Sequence, residues 1–204
     1  PGEHLIDHIC RQVAERAAAE AAARARIDFA DLLPEHFWQE SSLSGLHTPV
    51  GRAGDVEEWL ALDDATPHWL IGGRSGSGKT VFLLDVLYGL AARYPPDELA
   101  LYLLDFKQGT SFTEFAPTVR DPTWIPHTRV VGIQSDREYG VAALDALSAE
   151  IARRTTKLAQ AGVSTFADLR TSWRSLRLPR VVAVIEEFQD LLAGDDAAGE
   201  RART

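Results

Sequence analysis

The residues richest in chemistry are Gly73-Arg74-Ser75-Gly76-Ser77-Gly78-Lys79-Thr80, which follow the apolar run Trp69-Leu70-Ile71. Phosphates bind by close approach to backbone N–H groups, and side chains would block that approach, hence the glycines. Such a turn aims successive N–H groups into a concave anion nest. The following helix adds its positive dipole end. Lys79 is a mobile point charge that can reach β- and γ-phosphate oxygens, and the Thr80 hydroxyl can ligate Mg²⁺. Gly-x-x-x-x-Gly-Lys-Thr is the P-loop pattern, which makes ATP and Mg²⁺ the expected ligands and residues 73–80 their binding turn.

A P-loop holds a nucleotide but needs partners to hydrolyse it: an acid for the metal and a group that orients or deprotonates water. In open α/β sheets these stand at the carboxyl edge of neighbouring strands. Val181-Val182-Ala183-Val184-Ile185 ends in Glu186-Glu187. Strand alternation points the two acids to different sides. Glu186 is expected at the metal with Thr80, and Glu187 as the catalytic base with Lys79 at the phosphate. Asp105, Lys107 and Gln134 also end apolar runs and are candidate neighbours.

The elements that must hold these residues are legible as periodicity. Trp69–Ile71, Leu99–Leu104, Arg129–Ile133 and Val181–Ile185 read as strands, the second an unbroken apolar run of the kind buried on both faces. Lys79–Tyr94 reads as an amphipathic helix stopped by Pro95-Pro96. Ser135-Asp136-Arg137-Glu138 is a capping box opening a long helix that Gly162 closes, and a shorter helix follows Ser164. Residues 41–54 carry turn formers and short strands. Strand–helix alternation predicts a parallel β-sheet flanked by helices. Residues 3–27, rich in Ala, Glu and Arg, predict an N-terminal helix. Three units result: a helical appendage over 1–27, a linker over 28–44 and a nucleotide-binding domain over 45–204. Trp38, Trp59 and Trp69 are expected in the core. His4 and His8, one helical turn apart, lack a third ligand for a metal.

The net charge of −9 argues against a surface that coats DNA. Basic residues concentrate between Glu150 and Arg180, Arg153 and Arg154 among them. No apolar run approaches transmembrane length, and Cys10 is the only cysteine, which suits a cytoplasmic setting. The absence of methionine and the polar end at Thr204 suggest a piece of a longer protein, through whose other regions a membrane attachment could run.

Together these motifs resemble the FtsK/SpoIIIE branch of RecA-like P-loop ATPases, DNA-pumping motors related to HerA. Pro49-Val50-Gly51-Arg52 resembles the opening of the family's motor domain. Asp105-Phe106-Lys107-Gln108-Gly109 resembles its Asp-x-Lys-x segment. Glu150-Ile151-Ala152-Arg153-Arg154 resembles a helix that usually reads Glu-Met-x-x-Arg, and Ala161-Gly162-Val163 resembles the Ala-Gly-Val after it. Val184-Ile185-Glu186-Glu187-Phe188-Gln189-Asp190-Leu191 resembles the Walker B stretch, typically Val-Ile-Asp-Glu-Phe-Ala-Asp-Leu. The resemblance implies a RecA-like core, ATP hydrolysis coupled to movement of double-stranded DNA, and a hexameric ring in which Arg153 and Arg154 could meet a neighbour. A type VII secretion-like ATPase moving protein substrates, or a nucleotide-binding module with little turnover, are the alternatives. Two departures stand out. Glu186 replaces the metal-side Asp. The chain also stops after Walker B, before the family's next strand and the region expected to carry an arginine finger, so on its own it is expected to turn over weakly or not at all.

Overall fold

The computed structural model describes residues 8–17, 27–106, 111–132, 137–173, 177–192 and 200. Lys107, Gln134 and the Ser135-Asp136 half of the capping box lie outside them. Residues 8–17 form helix α1, with Ile9 and Val13 exposed.

The centre of the fold is a three-stranded parallel sheet in the order β4-β3-β5, built from β3 (Leu99–Asp105), β4 (Thr128–Gly132) and β5 (Arg180–Glu186). Strand alternation explains why β3 is apolar at nearly every position. Leu99, Leu101 and Leu103 pack against Val86, Leu87 and Leu90 of helix α2 (Lys79–Arg93). Leu104 joins Phe106 in a second cluster with Val141 and Ala143 of helix α3 (Arg137–Ala161). Helix α4 (Phe166–Ser172) follows, capped by the Thr165 side chain, and α5 (Phe188–Leu192) comes directly after β5. Gly162, at φ +67°, ends α3, and Val163 N–H bonds back to the Leu158 carbonyl at 3.1 Å.

An antiparallel hairpin, β1 (Leu46–Ala53) and β2 (Val56–Leu62), packs on α2 through Leu46 and Leu60. Its approach is close: a Cβ on Gly89 of α2 would stand 2.2 Å from Thr48 Oγ1. Residues 38–40 serve as a detached cap for the other end of α2. Trp38 N–H and Nε1–H donate to the carbonyls of Ala92 and Ala91, and Glu40 N–H donates to that of Arg93. These satisfy carbonyls that a helix end leaves without intrahelical partners. At the sheet edge away from the P-loop, Arg170 of α4 grips Glu98 through both carboxylate oxygens, and the Ser42 N–H and hydroxyl each donate to Glu98 at 2.7 Å.

Two expectations are corrected. Trp69–Ile71 is not a strand: it makes no ladder with the sheet, and Leu70 is 82% exposed. The reason is the lack of a bonding edge within reach. An apolar groove of about 440 Å³ runs between residues 69–73 and β5, whose second edge is unpaired among the described strands. The three tryptophans are not core residues either, each being about half exposed (48%, 48% and 49% for Trp38, Trp59 and Trp69). Their indoles serve as clamps: Trp69 Nε1 donates to the Ala61 carbonyl at 2.9 Å, and Trp59 stacks under Arg93 at 4.8 Å.

Candidate nucleotide site

The glycine-rich turn ends at Gly78, whose φ of +89° is costly for any residue with a Cβ; Gly76 is similar at +76°. Gly73 is needed for space, since a Cβ there would lie 2.6 Å from Ser77 Oγ and 3.3 Å from Lys79 Cγ. Helix α2 starts at Lys79 with no side-chain cap. Gly78 to Val81, which open the helix, line the adjoining cleft, the end at which a helix leaves N–H groups without intrahelical partners. Lys79 Nζ donates to the Gly73 carbonyl at 2.7 Å, bridging the two ends of the turn.

That cleft, of about 370 Å³, brings residues 75–81 together with the carboxyl ends of β3 and β5: Asp105, Glu186 and Glu187. Lys79, Thr80, Glu186 and Glu187 thus share one site, and Gly73 and Arg74 complete the turn behind it. The Thr80 hydroxyl donates to Glu186 Oε1 at 2.6 Å, while Glu186 Oε2 is buried and has no hydrogen-bond partner among the described residues. Asp105 is ladder partner to Glu186 and accepts from Ser111 N–H at 3.1 Å. Glu187 is not a strand residue. It adopts a left-handed conformation, φ +52°, and its carbonyl accepts from Asp190 N–H at 2.9 Å as α5 begins. The bend brings both acids to the same cleft.

Two residues at the site, Ser111 lining the cleft and Gln189 beside it, carry no signal that pattern reading detects. Ser111 reaches the cleft only through the fold. Gln189 stands where the family's stretch usually has Ala, and its amide donates to the Glu187 carboxylate. Arg153 and Arg154 lie elsewhere. Both donate to Glu150 at 2.6 Å, and Arg154 also reaches the Pro179 carbonyl at 2.8 Å. Hydrogen bonding to Arg153 chiefly, and to Arg154, lowers the Glu150 carboxyl to about 2 against the opposing effect of burial.

The donor set fits a magnesium nucleotide. The Thr80 hydroxyl and a buried carboxylate oxygen with no partner among the described residues are hard oxygen ligands. Residues 75–81 of the turn and first helical turn line the same space.

The family model described as FtsK/SpoIIIE matches residues 29–200. This chain belongs to the FtsK/SpoIIIE family. Curated FtsK/SpoIIIE relatives include the ESX-5 secretion system protein EccC5 of Mycobacterium tuberculosis, 32% identical over 72% of the chain and 11% of that protein. They also include the DNA translocase FtsK of Helicobacter pylori, 30% identical over 79% of the chain and 18% of that protein. The chain therefore spans between a tenth and a fifth of the length of these relatives. Among solved structures, the cytoplasmic domain of the Thermomonospora curvata type VII secretion ATPase EccC superposes with a TM-score of 0.65 at 24% identity, over 87% of the chain and 21% of EccC. The pCW3 conjugation coupling protein TcpA, in a monomer form with ATPgS, superposes at 0.60 and 21% identity, over 88% of the chain and 46% of TcpA. These likenesses establish the RecA-like P-loop ATPase fold. No helix among the described residues is long and apolar enough to cross a membrane.

Proposed function

We propose that residues 45–204 are the nucleotide-binding part of a cytoplasmic motor that hydrolyses Mg·ATP to move a polymer, with 1–27 as a helical appendage and 28–44 as the connection. The observation that carries the reading is the Thr80–Glu186 contact, 2.6 Å long, across the cleft beneath the P-loop. Backbone N–H groups of 73–80 and the Lys79 ammonium bind phosphate oxygens. Thr80 and Glu186 would hold the metal, which would supply charge neutralisation at the phosphates. Glu187 orients and deprotonates the attacking water. Lys79→Ala should abolish nucleotide binding, measured by fluorescence titration with a labelled analogue in Mg²⁺; retained tight binding would overturn the assignment.

Double-stranded DNA is the polymer in this reading, moved through a hexameric ring whose DNA contacts are confined to pore loops, so that a net charge of −9 is no obstacle. A second reading, movement of polypeptide, is supported by the similarity to EccC5. Stimulation of turnover by long double-stranded DNA favours the first, and stimulation by a secreted polypeptide favours the second.

A further inference from the structure

Glu187 leaves the sheet at φ +52°, one residue beyond the last ladder pair of β5, Glu186 with Asp105. Neither strand pleat nor helix stacking dictates where its side chain points. A base, however, must sit within hydrogen-bond reach of the proton it takes. What holds the carboxylate is therefore a separate question from what places its backbone.

The answer lies two residues on. Gln189 stands in the first turn of α5, and its side-chain amide donates to Glu187 Oε2. The short helix is well anchored: Leu191 is buried in the cluster of Leu104, Phe106 and Val141. A Cβ on Gly140 of α3 would already come within 3.1 Å of Leu191 Cδ1. Gln189 also lines the apolar groove beside β5, and Glu187 lines both groove and cleft, so the contact lies at their border. A neutral amide suits this place. Its N–H can orient a carboxylate by hydrogen bonding without bringing a full positive charge into the site. The family's usual Ala offers no such donor.

We propose that Gln189 is a positioning residue for Glu187, its amide fixing the carboxylate at the border of cleft and groove. The inference rests on the reading of Glu187 as the base.

The test is steady-state ATPase kinetics of the intact protein carrying this domain, as wild type, Gln189→Ala and Gln189→Glu, with Glu187→Gln as blank. Affinity for a non-hydrolysed ATP analogue is measured by fluorescence in parallel. Gln189→Ala should lower kcat roughly fivefold, the factor expected when one rotamer-rich side chain is set free, and leave KM and analogue affinity unchanged. Gln189→Glu keeps the shape but replaces the donor with a like charge, and should lower kcat further. The other charged groups near the contact, Lys79, Asp105, Glu186 and Asp190, are common to every variant, so a difference in kcat between variants reports on Gln189. A Gln189→Glu protein with wild-type kcat would overturn the inference. So would kcat and analogue affinity falling together, the sign of a merely structural role. If wild type itself matches the Glu187→Gln blank, the function proposed above fails, and this inference fails with it.

Discussion

The left-handed backbone at Glu187 leads to a prediction in which stability and function part company. Left-handed geometry puts a Cβ too near the following carbonyl oxygen, at a cost of about 1–2 kcal/mol for a residue other than glycine. Glutamate at φ +52° carries that cost. Glu187→Ala and Glu187→Gly both delete the carboxylate and its bond to Gln189, so the difference between them isolates the backbone. At an ordinary position glycine would be the less stable of the two by about 0.4–1 kcal/mol, through the freedom it gives the unfolded chain. Here the order should reverse, with Glu187→Gly more stable than Glu187→Ala by about 1 kcal/mol. For a chain of this size that is about 3 °C in unfolding midpoint. Thermal unfolding followed by circular dichroism reads the difference, and ATPase assays of the same variants in the intact protein should find both inactive. An alanine variant as stable as the glycine variant would show that residue 187 is not left-handed. Turnover surviving in either would show that the strained position holds no catalytic group.

Other perturbations have comparably definite outcomes. Burial opposes ionisation of Glu98, but hydrogen bonds from Arg170 and Ser42 outweigh it and lower the carboxyl from 4.5 to about 2. Its stabilising contribution, on the order of 1–2 kcal/mol after solvent screening, should be complete above pH 4.5 and lost as pH falls through about 2. Urea unfolding of wild type and Glu98→Gln against pH should show the two curves converging there. Gly89→Ala drives a Cβ to 2.2 Å from Thr48 Oγ1 and should cost about 1–3 kcal/mol. Most of that loss should be recovered in Thr48→Ala/Gly89→Ala, since the clash is with the hydroxyl. Glu186→Asp shortens the arm that reaches Thr80 and restores the family's residue. Turnover kept or raised would mark the glutamate as a handicap, and a collapse would show a cleft fitted to the longer side chain.

Local sequence pointed to groups that the fold gathers at one candidate site, but not to every position they occupy. The P-loop glycines were legible because each answers a demand on the backbone: Gly76 and Gly78 supply positive φ, and Gly73 supplies space. Strand β3 was legible because Leu99–Leu104 meets apolar neighbours on both faces. Trp69–Ile71 shows where such reading stops. Apolarity signals burial, but a strand also needs a ladder partner, and the groove beside β5 stands between. Alternation put Glu186 and Glu187 on opposite sides of a strand; the left-handed bend ends the strand between them and returns both to one cleft. The tryptophans misled because their hydrophobicity is shared out among hydrogen bonds and cation stacking at the surface. The Gln189–Glu187 contact depends on that same bend and on the anchoring of α5, neither of which has a local pattern.

Hydrolysis of Mg·ATP at the P-loop with Glu187 as base can be read from steady-state ATPase of the intact protein, with and without long double-stranded DNA, and with Glu187→Gln alongside. Wild type should show magnesium-dependent turnover that DNA stimulates and that Glu187→Gln removes while nucleotide binding persists. Equal rates for wild type and Glu187→Gln would take the base away from Glu187.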